Sequence, residues 1–583
     1  MHKPELNRKF DRFTLPMYRR LWYPAIISAI GLAIGDIMDA IVVGNKLGIT
    51  GLAALSLVLP VYKLNYAIAQ GFGIGGSVLF CKELTDGKPD EAKKIFSAVM
   101  KSIILVGVLL AVSGLVFCDP VLHLLGAVSS DRELFHATRD YYRIMIASAP
   151  LFFISESLNY FLRNDNEEKI AGIGCLLGVV VDVSCNILFV VFLEWGTAGA
   201  ALSTAIGFAA AISVYCIALV RKTNHLSFVK THIDDLRIAF GCFRSGSSTS
   251  IRHLYNLVFL LLCNNLLIRL SGEAGVAVFD IVQNLSFILG HLYIGTTNAM
   301  QPLVSTYHFE HNLTGIKTIR FIGFLSGSII GLLVICLVML FPEYVCRLFG
   351  LTGPGILPDA EIALRIYASG AFFSGINIMA SCYFQDCEQE KAAFLISSLR
   401  GFIILIPAIL LMYQFHELKV FWLFYPITEI LTLITFLRFG NKYRETPLPD
   451  ERIFQKTIFS DIHDINQIRE SAERFCIGFD ASPKQCRIIS LTMEEVLTAI
   501  LKHGFKNKQD GYIEVIVIAF ENGEFELHIR DNAVSFNPFS LKLTGGISED
   551  TDFSAVGMEI IRNNVKSFFY RDFNSFNTLM IKV

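Results

Sequence analysis

Apolar stretches of about 20 residues recur along the first three quarters of this 583-residue chain, and no other feature constrains its fold as strongly. A helix needs about 20 mostly apolar residues to cross the hydrocarbon core of a bilayer. With 53% apolar and only 17% charged side chains, the chain is too apolar for one soluble core. We therefore predict an all-α polytopic membrane protein. Its twelve spans begin near Leu21, Leu52, Ile95, Tyr142, Ile170, Ala198, Ser248, Val276, Phe321, Ala363, Ala393 and Phe421.

Basic residues indicate how these helices are oriented. Lysines and arginines cluster before the first span, after the second and after the sixth, whereas the loops near Glu194 and Ser271 carry almost none. By the positive-inside rule, both termini are expected in the cytoplasm, in a multi-pass protein of the bacterial plasma membrane. The segment 1–20 lacks the apolar core of a signal peptide, so the first span itself is expected to direct insertion.

The two sets of six spans are related in sequence. The offset that carries Gly51 to Gly275 also carries Gly126 to Gly350, and we call it the repeat offset. Two repeats of six helices are expected to be parallel, related by an axis along the membrane normal, with a cavity between them that opens alternately to each side. The predicted order is a cytoplasmic segment (1–20), an N-lobe (21–220), a cytoplasmic linker (221–245) and a C-lobe (246–440).

Two acidic residues lie inside the first span. Asp36 and Asp39, in AIGDIMDAIVVG, are three positions apart, which places both on one face of a helix. An ionisable residue in a spanning helix costs at least a few kcal/mol, so it usually faces inward and has a function. Because neighbouring carboxylates repel, one of them takes up a proton more readily, which suits proton exchange. Alternatively, one aspartate lies near the membrane end and is simply solvated.

Further polar side chains fall in other spans. Asp182 and Asn186 lie one helical turn apart in VVVDVSCNILFVV, where a transport role and a structural hydrogen bond between helices both stay open. Asn159 in the fourth span is another transport candidate. Glu429 and Asp280 are isolated in their spans.

Several segments together resemble the multidrug and toxic compound extrusion (MATE) transporters, within the wider multidrug, oligosaccharidyl-lipid and polysaccharide flippase superfamily. The resemblance covers about residues 10 to 440 and rests on DAIVVGNKLGITGLAALSL, AQGFGIGGS, YFLRNDNEE, WGTAGAALSTAIG, GTTNAMQPLVS and YFQDCEQEKAAFLISSLRGFIILIP. It implies a twelve-helix, two-lobed antiporter that exports small organic cations or drugs in exchange for protons or sodium. No cofactor is required for such a mechanism.

The resemblance also implies roles for individual residues. Asp39 matches the family's first-helix aspartate and is therefore expected to bind the coupling ion, with Asp36 as an addition. The fifth helix of the family usually shows Asn, three residues and then Asp, whereas Asp182 and Asn186 present the pair in the opposite order. In the seventh helix Asn256 replaces a glutamate that binds the ion in some branches, which favours coupling in the N-lobe.

After Phe439 the composition changes from apolar to mixed. The polar stretch 441–452 contains prolines and is predicted to be a linker, and a cytoplasmic α/β sandwich is predicted over 453–583. We expect helices at about 464–477, at about 484–502 and near Ile560. Strands are expected in YIEVIVIAF, EFELHIRD and TLMIKV.

This tail resembles the histidine-kinase-like ATPase domains, especially the anti-sigma-factor serine kinases, in LTMEEVLTAILKHGF, HIRDNAVSFNPF and FSAVGMEIIRNNV. The resemblance implies nucleotide-binding roles for Glu495, His503, Asp531 and Gly557. However, Ala499 stands where the family has its magnesium-binding Asn, and Ala533 and Ala555 replace glycines. Without the magnesium ligand, ATPase or serine kinase activity is not expected. A degenerate ATP-binding domain and a domain that docks a cytoplasmic protein both stay open.

Two other functions stay open. A membrane-bound regulator would sense a ligand with its helices and act through its tail on a sigma-factor-regulatory partner. A flippase for lipid-linked oligosaccharides would need a strongly basic cavity, whereas we place few basic residues within the spans, chiefly Lys63 and Arg252. The net charge of −2 argues against nucleic acid as a partner, and the absence of a C-x-x-C pair argues against a zinc framework.

Overall fold

The computed structural model describes residues 14–85, 88–127, 132–165, 167–221, 226–229, 235–309, 312–353, 355–387, 389–439, 449–458, 463–505, 512–534, 537–540, 553–573 and 576–583. The described residues form two compact units. The first holds those up to Gln301 and those from Arg320 to Phe439. The second holds Pro302–Ile319 and the described residues from Pro449 onward. Most of the predicted linker 441–452 lies outside the described residues.

The described helices account for twelve membrane crossings. Nine of them are long and apolar enough to cross a membrane, and a pair of helices that meet at a bend of 50° makes a tenth span. Two of the nine, Thr14–Phe80 and Ser250–Val304, have 67 and 55 residues, far more than the roughly 20 that one crossing needs. Each is interrupted by a glycine with a positive φ angle, so we count two crossings in each. The ten spans thus become the twelve that were predicted.

The helices of the N-lobe are α1 (Thr14–Thr85), α2 (Pro89–Val116), α3 (Cys118–Leu125), α4 (Arg132–Ala147), α5 (Ala149–Asn164), α6 (Glu168–Asn186) and α7 (Gly196–Arg221). A further helix, α8 (Asp235–Ser245), lies within the predicted inter-lobe linker. The helices of the C-lobe are α9 (Ser247–Phe309), α10 (Leu313–Leu340), α11 (Pro342–Leu348), α12 (Leu357–Asp386), α13 (Glu390–Ser398), α14 (Leu405–Tyr413), α15 (Leu418–Phe421) and α16 (Phe424–Phe439). The π-helical turns Ile187–Phe192 and Leu399–Ile403 follow α6 and α13.

Helix boundaries repeat with the spacing seen in the sequence. The repeat offset carries both ends of α2 onto both ends of α10, and the first residue of α3 onto the first residue of α11. Further along the chain the offset is shorter by two positions, because α6 begins at Glu168 and α13 at Glu390. The two lobes are therefore structural repeats that differ slightly in length in the loops before these helices.

Two equivalent glycines turn the chain between consecutive spans. Gly48 has φ +63° and Gly272 has φ +65°, and the repeat offset carries one onto the other. A Cβ atom at either position would meet nothing within 4 Å. What requires glycine is therefore the left-handed backbone, which other residues adopt only at an energetic cost, and not the space available.

The two lobes share one apolar core. Leu52 of the first repeat and Phe279 of the second are fully buried in the same cluster. A polar contact also joins the repeats, since the Asn264 side-chain amide donates to the backbone carbonyl of Ser56 at 2.7 Å. Buried backbone oxygens need such donors, so this contact lets the helices approach without an unsatisfied group.

The tail is a five-stranded antiparallel sheet packed against helices, as the predicted α/β sandwich requires. Its strands are β1 (Ile453–Ile458), β2 (Ile513–Ala519), β3 (Phe525–Asp531), β4 (Ser567–Phe573) and β5 (Phe576–Lys582), in the spatial order β1-β2-β3-β5-β4. The helices are α17 (His463–Gly478), α18 (Pro483–Ala499) and α19 (Phe553–Asn564). Ser482 and Gln485 form a capping box that starts α18, and a π-helical turn, Ile500–Gly504, follows it.

The two strands that the sequence patterning missed are the edge strands. β1 has three consecutive exposed residues among its six, and β4 presents Phe569 with 54% of its surface exposed. An edge strand has one neighbour and need not carry the continuous apolar run of a central strand. The three predicted strands, β2, β3 and β5, are the inner ones, and β2 and β3 are buried along their whole length.

The buried charged side chains of β3 have partners on β3 and on neighbouring elements. Glu526 accepts from Lys582 at 2.7 Å and pairs with His528 at 3.3 Å. Burial alone would raise the pKa of the Glu526 carboxyl, but its bonds to His528 and Lys582 hold that pKa below its ordinary value. In the same unit, the Arg530 guanidinium lies 4.6 Å from the ring centroid of Tyr307. The polar side chains of β3 therefore have partners.

Candidate transport site

The carboxylate of Asp39 is held by two donors from other helices. The Asn186 side-chain amide, at the end of α6, donates to Asp39 Oδ1. The Thr204 hydroxyl, on α7, donates to Asp39 Oδ2 at 3.3 Å. Asn186 is fully buried and Thr204 nearly so, while Asp39 is half-buried. Three helices of the N-lobe therefore converge on one carboxylate.

Two oxygens beside this carboxylate have no donor in the part of the chain that the structure describes. Asp182 lies one turn before Asn186 on α6, with the hydroxyls of Ser203 and Thr204 close to its carboxylate. Among the described residues, Asp182 Oδ1 and Asn186 Oδ1 are buried without a hydrogen-bond partner. A buried acceptor without a donor costs roughly 1–3 kcal/mol, so its persistence calls for an explanation. A cluster of acceptors rich in carboxylate can bind a proton or a cation that prefers oxygen ligands.

Glycine contacts bring α6 and α7 together at this point. A Cβ atom on Gly207 would lie 2.8 Å from the backbone oxygen of Gly178 and 3.0 Å from Cβ of Asp182. Only a residue without a side chain permits this approach. The π-helical turn that begins directly after Asn186 also shifts the following residues relative to a regular helix. Backbone approach and helix irregularity therefore both occur where the carboxylates meet.

The structure brings together three of the five predicted transport residues, Asp39, Asp182 and Asn186. Asn159 instead accepts from Arg163 Nε, 2.9 Å away on the same helix. The side chain of Asp36 lies outside the described residues, although its backbone is helical. The sequence analysis did not identify Thr204 as a transport residue. The only indication of it in the sequence is a hydroxyl side chain within the motif WGTAGAALSTAIG.

A second polar cluster lies in the C-lobe, where Glu429 is not isolated as the sequence suggested. Arg400 Nη2 donates to Glu429 Oε1 at 2.7 Å and to the Ser374 hydroxyl at 2.8 Å. Asn377 Nδ2 donates to Glu429 Oε2 at 2.8 Å. The side chain of Glu429 is 5% exposed and that of Arg400 is 24% exposed. Asp280 is not isolated either, since Asn284 donates to its carboxylate at 2.9 Å.

Arg400 also corrects the expectation about basic residues within the spans. The sequence points to Lys63 and Arg252 as the main basic residues within the spans. Arg400 also lies within a span, in the π-helical turn Leu399–Ile403 of the eleventh span. Its signal in the sequence was an arginine in the otherwise apolar run SSLRGFIILIP. Its pairing with Glu429, which lies in the next span, could not be read from either span alone.

The ion pair occupies positions that are glycines in the other repeat. The offset between the starts of α6 and α13 carries Gly178 to Arg400 and Gly207 to Glu429. In the N-lobe this pair of glycines lets two helix backbones touch. In the C-lobe the same pair of positions holds two long charged side chains, and an open cavity of about 290 Å³ lies beside them. The repeats therefore differ in chemistry at one pair of equivalent helix positions.

In the tail, two of the predicted nucleotide-binding residues lie in contact. Glu495 on α18 lies so close to Gly557 on α19 that a Cβ atom on Gly557 would overlap its carboxyl group. Asp531 Oδ1 accepts from the Asn577 amide at 2.7 Å and from the backbone N–H of Ala533 at 2.9 Å. The side chain of His503, and the stretch 541–552, lie outside the described residues. Ala499, at the magnesium position, is fully buried.

Comparison with known families decides the class of protein. The MatE family model matches residues 24–188 and 250–410, one match in each lobe, and together they make up more than half of the chain. The chain belongs to the MATE family. As a MATE transporter it is a membrane protein whose main activity is not enzymatic. A second model, the histidine kinase-like ATPase domain, matches residues 459–582 and confirms the nature of the tail.

Individual relatives of this MATE chain are multidrug exporters by name. Multidrug export protein MepA of Staphylococcus haemolyticus (strain JCSC1435) is 25% identical over 402 residues, which cover 68% of this chain and 87% of MepA. Probable multidrug resistance protein YoeA of Bacillus subtilis (strain 168) is 22% identical over 358 residues, which cover 60% of this chain and 74% of YoeA. The similarity to MepA spans both lobes.

Solved structures of MATE transporters have the same fold. An inward-facing multidrug resistance MATE transporter has a TM-score of 0.64 and 21% identity, covering 70% of this chain and 93% of its own. The MATE multidrug transporter DinF-BH has a TM-score of 0.59 and 23% identity, covering 76% of this chain and 100% of its own. At these identities the likeness establishes the fold alone.

Proposed function

We propose that this MATE transporter is a secondary antiporter that exports organic cations or drugs in exchange for protons or sodium. The observation that carries the proposal is the N-lobe cluster of Asp39, Asp182, Asn186 and Thr204. Two buried oxygens of this cluster, Asp182 Oδ1 and Asn186 Oδ1, have no donor among the described residues. A coupling ion would supply the missing positive charge, as either a proton or a sodium ion held by oxygen ligands.

The same geometry supports coupling to a conformational change. Asp39 lies on α1, Asp182 and Asn186 on α6, and Thr204 on α7, so the bound ion would hold three helices together. When the ion leaves, two neighbouring carboxylates repel and the arrangement of these helices becomes less stable. An ion that binds one arrangement better shifts the population toward it, which is what alternating access requires.

The export direction and the substrate class are inferred from the relatives and from charge. MepA and YoeA carry the names of multidrug export and resistance proteins, which we extend to this chain as a proposal. The basic clusters before the first span, after the second and after the sixth support cytoplasmic termini in the plasma membrane, so the tail would face the cytoplasm. Export would then run from the side on which the tail lies.

Efflux of a fluorescent cationic dye from proteoliposomes tests the proposal, with a pH gradient and a sodium gradient imposed separately. We expect gradient-driven efflux to fall at least about tenfold in Asp39→Asn and in Asp182→Asn, because each removes a charge that binds the ion. Asp119→Asn is the matched control, since its side chain is 54% exposed and lies outside the cluster. Efflux that neither gradient drives, or that survives in Asp39→Asn, would refute ion coupling at this cluster.

For the tail we propose regulation of transport without nucleotide hydrolysis. Glu495 on α18 packs directly against Gly557 on α19, and Ala499 supplies no ligand for magnesium. We expect the purified full-length protein not to hydrolyse ATP, and Ala499→Asn to make ATP binding depend on magnesium. Thr498→Asn, on the exposed side of the same helix, is the control. Magnesium-dependent hydrolysis by the unaltered protein would contradict this proposal.

A further inference from the structure

The C-lobe cavity carries net positive charge, in contrast to the N-lobe cluster. Its lining includes two guanidinium groups, Arg252 and Arg400, and one carboxylate, Glu429. A site with two cations and one anion repels a cationic ligand and attracts an anionic one.

Glu429 has little capacity left to hold a ligand. Its two carboxylate oxygens accept from Arg400 and from Asn377, and only 5% of its side chain is exposed. Arg400 is differently placed, because its Nε and Nη2 atoms have partners while Nη1 has none among the described residues. A guanidinium can donate to two anions at once, since its five N–H groups form a rigid planar fork.

Aromatic side chains form much of the remaining wall. Tyr255, Phe287, Tyr293, Tyr367 and Tyr425 all line the cavity. Its volume of about 290 Å³ lies at the lower end of small-molecule sites, which suits one or two fused rings. Aromatic walls bind flat rings by stacking and by edge-to-face contacts. The chemistry of the site is therefore that of an aromatic ring bearing an anionic group.

We propose that this cavity is a substrate subsite for aromatic carboxylates, in which Arg400 and Arg252 hold the carboxylate and the tyrosines hold the ring. This assignment rests on the proposed export function and adds aromatic carboxylates, zwitterions among them, to the compounds that the transporter exports. The substrate carboxylate and Glu429 share the positive charge of Arg400, so they compete for it even when both are bound to the guanidinium. Glu429 thereby keeps Arg400 neutralised when no substrate is bound and lowers the affinity for the substrate.

The repeat comparison supports a dedicated site. The equivalent positions in the N-lobe, Gly178 and Gly207, bring two backbones into contact and carry no charge. A pair of glycines at these positions is therefore sufficient to pack the two helices against each other. The C-lobe replaces it with a charge pair at the wall of a cavity, which gives that lobe a recognition chemistry that the N-lobe lacks at these positions.

Binding of 1-naphthoate to the full-length protein in nanodiscs tests the inference, with its methyl ester and with 1-naphthylmethylammonium as matched probes. We expect the carboxylate to bind at least about tenfold more tightly than either probe, because only it can pair with a guanidinium. Arg252→Gln and Arg400→Lys should each weaken naphthoate about tenfold, the latter because lysine keeps the charge but loses the planar fork. Glu429→Gln should strengthen it by removing the competitor.

Arg347→Gln is the matched control, since Arg347 is 60% exposed and pairs with Glu343 on the surface helix α11. If Arg400→Lys does not fold, Arg252→Gln decides the outcome, because its side chain is exposed and carries no part of the ion pair. Equal binding of naphthoate and its methyl ester, or unchanged naphthoate affinity in Arg252→Gln, would overturn the inference.

The experiments can contradict the aromatic-carboxylate subsite without contradicting ion-coupled export, and the reverse. Naphthoate binding is measured without a gradient and is expected to be unchanged in Asp119→Asn, the control variant of the efflux experiment. If dye efflux requires Asp39 but naphthoate does not bind, the subsite is wrong and ion-coupled export stands. If naphthoate binds as expected but no gradient drives efflux of any probe, the binding site stands and its assignment as an export subsite is overturned.

Discussion

Separating Arg400 from Glu429 should destabilise the protein far more than removing both. Glu429→Gln leaves the guanidinium without its counter-ion, and Arg400→Met leaves a carboxylate that is 5% exposed with Asn377 as its remaining donor. Breaking a buried ion pair by removing one partner costs roughly 3–5 kcal/mol. Arg400→Met should lie at the upper end of that range and Glu429→Gln at the lower end, because the cavity leaves Arg400 24% exposed and partly hydrated.

The double variant, Arg400→Met with Glu429→Gln, should unfold within about 1–2 kcal/mol of the unaltered protein, because no buried charge remains uncompensated. The free energies of unfolding can be measured in mixed micelles under conditions where unfolding is reversible, and combined as a double-mutant cycle. Arg347→Met, which breaks an exposed pair with Glu343, should cost no more than about 1 kcal/mol. Additive effects of the two single changes would refute the idea that the cavity wall depends on a coupled pair.

Three further predictions follow from other contacts. Thr204→Val removes a donor to Asp39 and should change the apparent affinity for the coupling ion, measured by dye efflux, by about tenfold. Thr204→Ser keeps the hydroxyl and should leave that affinity unchanged. Equal effects of the two changes would show that the hydroxyl does not support ion binding. Gly207→Ala should lower the free energy of unfolding by roughly 1–3 kcal/mol in mixed micelles, because the added Cβ atom would lie 2.8 Å from a backbone oxygen. Gly172→Ala is the control, since its Cβ atom would meet nothing within 4 Å. Similar losses of stability in the two variants would contradict the packing argument. Because the pKa of Glu526 is held below its ordinary 4.5, the carboxylate stabilises the fold fully above that pH, and this stabilisation is lost as the pH falls through the lowered pKa. Glu526→Gln should therefore speed hydrogen exchange of the sheet at pH 7 and make the exchange rate depend less on acid. An exchange rate with unchanged acid dependence in Glu526→Gln would contradict this.

The spans and the repeats were readable because they rest on local composition and regular spacing. Apolar runs of about 20 residues are imposed by bilayer thickness, and the repeat offset follows from duplication of a whole lobe. The structure keeps that offset down to the turn glycines Gly48 and Gly272. Likewise the inner strands of the tail were found because burial on both faces demands a continuous apolar run.

The ion pair of the C-lobe was not readable, because pairing depends on which helix faces meet. Arg400 and Glu429 lie in separate spans, and the small change in offset before α13 hides their equivalence to Gly178 and Gly207. Asp39, Asp182 and Asn186 were found because carboxylates and amides stand out in apolar helices, whereas the Thr204 hydroxyl does not. Hydroxyls can satisfy themselves within a helix, so their role becomes visible only once the neighbouring helix is in place.

The arginine and the glutamate that stand where the other lobe has two glycines are unequal partners. A lone glutamate at position 429 would have been a buried charge without a counter-ion, whereas a lone arginine beside a cavity could extend its charged head toward water. The buried glutamate therefore depends on the arginine more than the arginine depends on the glutamate. In the proposed subsite, a C-lobe with Arg400 and without Glu429 would bind anions more strongly than the present chain, so the carboxylate weakens binding and thereby favours release.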